Sequence, residues 1–327
     1  MIELVEIRPS GLVKLDHREA RSRLRSTAET SGLDKLDQRH ARRAQTSHMK
    51  IAVTGGNGKL GRATVAGLRA AGHEVIVLDT AGPNRDAYTK VDITDYGQIA
   101  DALAGINDRH DGLDAVAHLA AIPAPGILSD VATFHNNVVG TFNVFQAARR
   151  AGIRRIAFAS SETVLGLPFE TPPPYVPLDE EYDTRPESVY SLGKHLEEEL
   201  ARKLARWDPE LSITALRFSN VMDPEDYAAF PDFDADARLR SWNLWGYIDA
   251  RDGAEAIRLA LELGTPGYEV FTVFAADTVM TRPNGELMAE VFPGVEVRGD
   301  LGVNTSLTST AKAQRLLGWT AKHSWRD

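Results

Sequence analysis

Between Lys50 and Phe218 short apolar runs alternate with longer stretches of helical spacing. Lys50–Thr54 is apolar and strand-like, and it runs into a cluster of glycines. Leu60–Ala71 has helical spacing and stops at Gly72, a residue suited to ending a helix. His73–Leu78 reads as the next strand, and Asp114–Leu119 as another. Phe134–Ala151 is a long helical stretch closed by Gly152. Arg155–Ser160 is strand-like, Tyr190–Trp207 helical, and Ser212–Phe218 strand-like again. Strands that alternate with helices pair in parallel through right-handed crossovers, which predicts an α/β fold, a doubly wound parallel sheet. The pattern breaks at Leu167–Val176, where Pro168 and Pro172–Pro174 predict a rigid, open loop outside the core.

Composition narrows the classes. The chain has 327 residues, no cysteine, and a formal charge of −9. Without cysteine there is no disulfide framework, no thiolate metal site and no thiol nucleophile. The acidic balance argues against nucleic acid as a partner. No apolar run is long enough to span a membrane, so a cytoplasmic location is expected. Residues 1–48 are different: they carry a net charge of +3 and no Phe, Tyr or Trp. Too little apolar area to bury predicts disorder or a non-native extension. Nothing in the sequence suggests a metal site.

The glycine cluster has chemical content. Strand Lys50–Thr54 leads into Gly55-Gly56-Asn57-Gly58-Lys59-Leu60-Gly61 and then into a helix. Gly55 permits the tight turn, Gly58 lets the backbone approach a pyrophosphate, and Gly61 lets the helix pack against the sheet. Helix N-terminal N–H groups then face the phosphates. The second strand ends at Asp79, a carboxylate placed to accept from both ribose hydroxyls and to repel a 2′-phosphate. NAD is therefore the expected cofactor, with Arg85 nearby as the one contrary cation. The Gly-Lys pair does not have the spacing of a nucleotide triphosphatase loop, and Leu60 stands where that loop needs a hydroxyl.

Ser161 follows the strand Arg155–Ser160, so it sits at the carboxyl edge of the sheet, where ligands of such folds bind. Tyr190 and Lys194 are one helical turn apart and share a face. A tyrosine ionises near pH ~10, and a neighbouring ammonium lowers that value. Tyr190 is thus a candidate acid/base, Ser161 a hydrogen-bond partner for the same substrate oxygen, and Lys194 a candidate to reach the nicotinamide ribose.

These residues resemble the extended short-chain dehydrogenases/reductases, in particular the NAD-dependent epimerase/dehydratase family, over about 50–325. Thr54–Gly61 resembles the family's glycine motif. Asp92-Ile93 is similar to the pair that reads adenine, and His118-Leu119-Ala120-Ala121 to the strand end beside the cofactor. Asn137-Val138-Val139-Gly140-Thr141 is similar to a helix start that places Asn137 near the active-site lysine. Leu216-Arg217-Phe218-Ser219-Asn220 resembles a motif whose Asn faces the substrate, and Tyr247–Asp252 and Ala311–Trp319 resemble later signatures.

The resemblance implies a Rossmann domain at 49–220, completed by about 245–262, and a small substrate lobe at 221–327. It implies Gly55, Asn57, Gly58, Lys59, Leu60, Gly61, Asp79, Asp92, Ile93, Leu119, Ala120, Ala121, Asn137, Tyr190 and Lys194 at the cofactor. It implies Ser161, Glu162, Asn220 and Arg217 at the substrate. His118 and Arg217 have alternative readings as a satisfied strand-end histidine and a structural cation. Trp245 and Trp319 are expected in the core.

Three reactions share this framework. Dehydration is disfavoured, because family dehydratases carry two adjacent acids where this chain has Glu162 and Thr163. A sugar epimerase or oxidoreductase is the leading expectation. A dehydrogenase of a free sugar or sugar acid, similar to the uronate dehydrogenases, is the alternative. The stretch Leu244-Trp245-Gly246 lacks the arginine that nucleotide-sugar epimerases carry, and the segment after Asn220 is acidic. A diphosphate there would need Arg238, Arg240 or Arg251. An inactive NAD-sensing protein is the third reading. Relatives pair as dimers through their two long helices, so a homodimer is expected.

Overall fold

The computed structural model describes residues 48–82, 88–105 and 110–327. The expectations for 1–47 and for Arg85 lie outside them. Seven parallel strands form one sheet: β1 (Lys50–Thr54), β2 (Glu74–Asp79), β3 (Tyr88–Lys90), β4 (Ala115–His118), β5 (Arg155–Ser161), β6 (Ser212–Phe218) and β7 (Gly267–Val273). Their order is β7-β6-β5-β4-β1-β2-β3, so the chain reverses direction between β1 and β4. That reversal leaves a crevice at the carboxyl ends of the strands, and a ligand site is expected there.

Helices cover both faces. On one side α1 (Lys59–Ala70), α6 (Ala250–Leu263) and α8 (Ala311–Leu317) bury Leu68, Ile257, Leu261 and Leu317 with Trp319 against β1, β2 and β7. On the other, α2 (Tyr96–Ala104), α4 (Gly140–Arg150) and α5 (Val189–Trp207) bury Ile99, Leu103, Phe145, Ala148 and Leu204. The stretch expected as one helix over Phe134–Ala151 begins earlier, as α3 (Asp130–Phe134), and passes through a wide π turn at His135–Val139 before α4. The sheet takes its last strand from Gly267–Val273, beyond the 245–262 segment expected to complete it. Among the described residues no helix is long and apolar enough to cross a membrane.

A third core lies under the residues after Asn220. It gathers Trp245, Tyr247, Phe230, Met280 and, from α7 (Asn284–Val291), Leu287. The loop expected to stand open joins this core: Leu167, Phe169, Tyr175 and Val176 are all buried. Its prolines stiffen the backbone, yet Tyr175–Val176 pairs with Glu296–Val297 and turns the apolar side chains inward. Rigidity was legible there; the partner strand, more than a hundred residues away, was not.

Candidate active site

A cavity of about 900 Å³ opens at the carboxyl ends of β1, β4 and β5. Its cofactor half is main chain. Gly55 has φ +68°, and a Cβ on it would lie 2.6 Å from the Ala120 nitrogen. A Cβ on Gly61 would lie 2.1 Å from the Gly55 oxygen. Gly58 differs: its Cβ would approach protein no closer than 3.4 Å, and the residue lines the cavity. Gly55 and Gly61 are therefore required by packing, whereas Gly58 leaves room for something in the cavity. Gly58 extends into α1 with no side chain capping the helix and no acid in its first turn. These free N–H groups fit a phosphate.

Asp79 lines the same half, and its carboxylate accepts from the Asn57 N–H at 2.9 Å, which fixes the glycine turn. Lys59, Leu60, Ile93, Leu119, Ala120 and Ala121 also line the cavity. Three expected cofactor residues do not line it. Asn57 is held by Asp79 and by the Ala81 carbonyl. Asp92 caps Thr94, at 2.9 Å to its nitrogen. Asn137 is buried and clamps both main-chain groups of Ile122, at 2.8 and 3.0 Å. Its neighbour Asn136, on the wide turn, is the one exposed to the cavity. These donor sets and the Gly58 gap fit NAD.

Ser161, Tyr190 and Lys194 come together at the other end, from β5 and from the first turns of α5. Ser188 and Ser191 form a capping box that starts α5 just before Tyr190, which fixes where the phenol stands. The Ser161 hydroxyl accepts from the Thr163 N–H at 3.1 Å. Lys194 donates to the Ala159 carbonyl at 2.9 Å and to Glu197 at 3.0 Å. Burial works against the charge on Lys194, but the neighbouring carboxylate outweighs it and holds its pKa above the usual range. Tyr190 departs from expectation. Burial raises its pKa above the ordinary value, while Lys194 and Ser161 pull it down without cancelling the rise. Glu197, which the sequence reading passed over, contributes to that rise and partly offsets Lys194.

The other half of the cavity, where a substrate is expected, is made of side chains: Ser219, Asn220, Glu162, Thr163, Glu187, Pro168 and Trp242 all line it. Glu162 is 4% exposed. It accepts from Ser219 at 2.7 Å and from Asn243 at 3.2 Å. Burial, offset in part by these bonds and by Arg240, pushes its carboxyl up to about 7. Arg217 does not line the cavity, which corrects its place among the substrate residues. Its guanidinium donates to Glu198 in two bonds, at 2.9 and 2.8 Å, and Ser160 donates to the same carboxylate. His118 is likewise structural: it bridges Thr54 and Thr141, and burial lowers its pKa to about 3, so it is neutral. Trp242, Asn243 and Glu187 were not singled out in the sequence, because standing beside Leu244–Gly246 or Tyr190 does not tell which side chains turn inward.

Residues 51–273 match the NAD dependent epimerase/dehydratase family, and the chain belongs to it. It is an NAD-dependent enzyme of the oxidoreductase or isomerase kind. Among relatives, UDP-glucose 4-epimerase of Bacillus subtilis (strain 168) is 28% identical over 85% of this chain and 94% of that protein. The 2-alkyl-3-oxoalkanoate reductase of Stenotrophomonas maltophilia (strain K279a) is 33% identical over 67% of each. A short-chain dehydrogenase/reductase superfamily protein from Agrobacterium tumefaciens, solved with bound NAD, superposes with a TM-score of 0.63. It is 26% identical, over 85% of this chain and 94% of that one.

Proposed function

We propose that this protein moves a hydride between a sugar carbon and NAD, with Tyr190 as the acid/base, and that it works as an epimerase or a related oxidoreductase. The supporting observation is the meeting of Ser161, Tyr190 and Lys194 on the cavity that holds the glycine loop. NAD, when bound, supplies the hydride acceptor. Tyr190 takes the proton of the substrate hydroxyl, and returns it to the carbonyl oxygen in the reverse direction. Ser161 donates a hydrogen bond to that oxygen. Lys194 favours the phenolate through its charge. Ser219, Asn220 and Glu162 hold the rest of the substrate.

Epimerisation is supported by the Bacillus subtilis relative. A dehydrogenase of a free sugar or sugar acid is the second reading. Its free-sugar form is favoured by the cavity wall, which among the described residues contains no arginine. Val131, Phe142 and Leu192, on α3, α4 and α5, are exposed apolar residues that support a homodimer. A cytoplasmic location belongs to the same proposal.

The test is NADH absorbance with sugars and excess NAD, before and after Tyr190→Phe. A net rise marks a dehydrogenase; interconversion of the sugar without a rise marks an epimerase. Tyr190→Phe is expected to cut turnover by about 10²–10⁴ and to leave NAD binding intact. A variant that turns over like the parent removes Tyr190 from the chemistry.

A further inference from the structure

The substrate half of the cavity has a definite electrostatic character. Two acidic residues line it, Glu162 and Glu187, and Glu187 is itself paired with Arg185 at 2.6 Å. The cations around it are each held by another group. Lys59 is paired with Asp226, and Lys194 with Glu197 at 3.0 Å. Arg251 is paired with Asp249 at 2.7 Å, and Arg238 with Glu290 at 3.5 Å. Arg240 donates to the Gly246 carbonyl at 3.0 Å and stacks on the rings of Phe233 and Trp242, each 5.1 Å away. A diphosphate or carboxylate entering this space would meet Glu162 and the Arg185-paired Glu187, and would have to break an existing pairing to find a cation. Both costs are those of an unmatched charge in a partly desolvated site.

A hydroxyl group meets the opposite situation. Glu162 is held from behind, one oxygen by Ser219 and the other by Asn243, so its position is fixed before a ligand arrives. Its remaining lone pairs are acceptors for ligand hydroxyls. Beside it, Trp242 offers apolar surface to the carbon side of a sugar ring.

We infer that the substrate is an uncharged polyhydroxy compound, carrying neither a nucleotide diphosphate nor a carboxylate, and that Glu162 selects it by accepting its hydroxyl groups. The inference rests on the hydride-transfer reading above, and narrows it to one substrate class. It places Glu162 as a specificity residue, since a buried carboxylate built into the wall, in its ionised form, rewards a donor and penalises an anion.

The experiment is calorimetric titration of the full-length protein, saturated with NADH, against matched triples: glucose, glucuronate and UDP-glucose, then galactose, galacturonate and UDP-galactose. Within at least one triple the neutral sugar is expected to bind about tenfold or more tighter than both charged forms. Glu162→Gln, which keeps the packing, and Glu162→Ala are each expected to weaken the neutral sugar by about tenfold and to narrow its lead. Tightest binding by a UDP-sugar or a uronate overturns the inference and leaves the hydride-transfer reading standing. Neutral binding that neither substitution alters overturns the role of Glu162. If NADH binds and no member of either triple does, the inference fails together with the sugar reading.

Discussion

The two halves of the cavity are built in different ways. The cofactor half is organised around a continuous stretch of main chain, Gly55–Gly61, placed by the strand before it and the helix after it, with Asp79, Ile93 and Leu119–Ala121 beside it. The substrate half is assembled from side chains that lie far apart in the chain: Glu162, Glu187, Ser219, Asn220 and Trp242. A site made of backbone depends on side chains being absent. A site made of side chains depends on the tertiary contacts that carry them into place. The first kind fixes which cofactor binds, and relatives with different substrates can share it. In the function proposed above, the second kind selects the substrate.

The sharpest way to test this division is within the glycine loop itself. Gly61→Ala puts a Cβ 2.1 Å from the Gly55 oxygen and 2.7 Å from the Gly56 Cα. Both are backbone atoms, and neither can yield without unseating the strand–helix turn. We expect a destabilisation of about 3 kcal/mol, the upper range for an overpacked site, together with loss of NAD binding. Gly58→Ala is the contrast, since its Cβ would meet protein only at 3.4 Å. It should leave thermal unfolding close to that of the parent and still weaken NADH in a fluorescence titration. Equal effects on unfolding from the two substitutions would mean that Gly58, too, serves packing alone.

The same division explains what the sequence revealed. Gly55, Gly58, Gly61 and Asp79 were readable because a local spacing carries their whole meaning. Ser161, Tyr190 and Lys194 were readable because a strand end and a helix face placed them. Asn137 and Arg217 look like site residues in the sequence, and neither lines the cavity: one clamps Ile122 and the other donates to Glu198. Their motifs specify an environment, and the partner that occupies the side chain lies elsewhere in the chain. Glu197 and Trp242 escaped because no local pattern distinguishes a helix-surface glutamate or a loop tryptophan from one turned inward. Leu167–Val176 was misjudged for the same reason, as its burial depends on Glu296–Val297.

Glu162 gives a test on the substrate half by stability instead of turnover. Its carboxyl, ordinarily near 4.5, is pushed up to about 7 in the folded protein. Between those two values the unfolded chain releases this proton and the native one keeps it. Stability therefore falls as pH rises through that window, and the penalty is fully present above pH 7. Glutamine does not titrate and can keep the bonds to Ser219 and Asn243. Glu162→Gln is expected to gain up to about 3 kcal/mol over the parent at pH 8, relative to their difference at pH 4. Denaturant unfolding at the two pH values measures it. A difference that does not change with pH would show that Glu162 is charged in the native protein and held by its partners.

The smallest effect concerns the seam between the halves. Lys59, in the glycine loop, pairs with Asp226, and Arg62, one turn further along α1, approaches Asp223 at 3.4 Å. Both acids belong to the segment just after Asn220 and Val221, which line the substrate half. The two pairs thus tie the element facing the cofactor to the element facing the substrate. All four side chains are partly exposed, so solvent and salt screen them, and the tie is expected to act on rates more than on stability. Asp226→Asn should speed NADH release a few-fold at low ionic strength, as followed by stopped-flow fluorescence. Added salt should speed release from the parent and bring the two proteins together. If the parent shows no salt dependence and the variant releases NADH at the same rate, the pairs are surface contacts without influence on the cofactor, and the two halves of the cavity behave as independent sites.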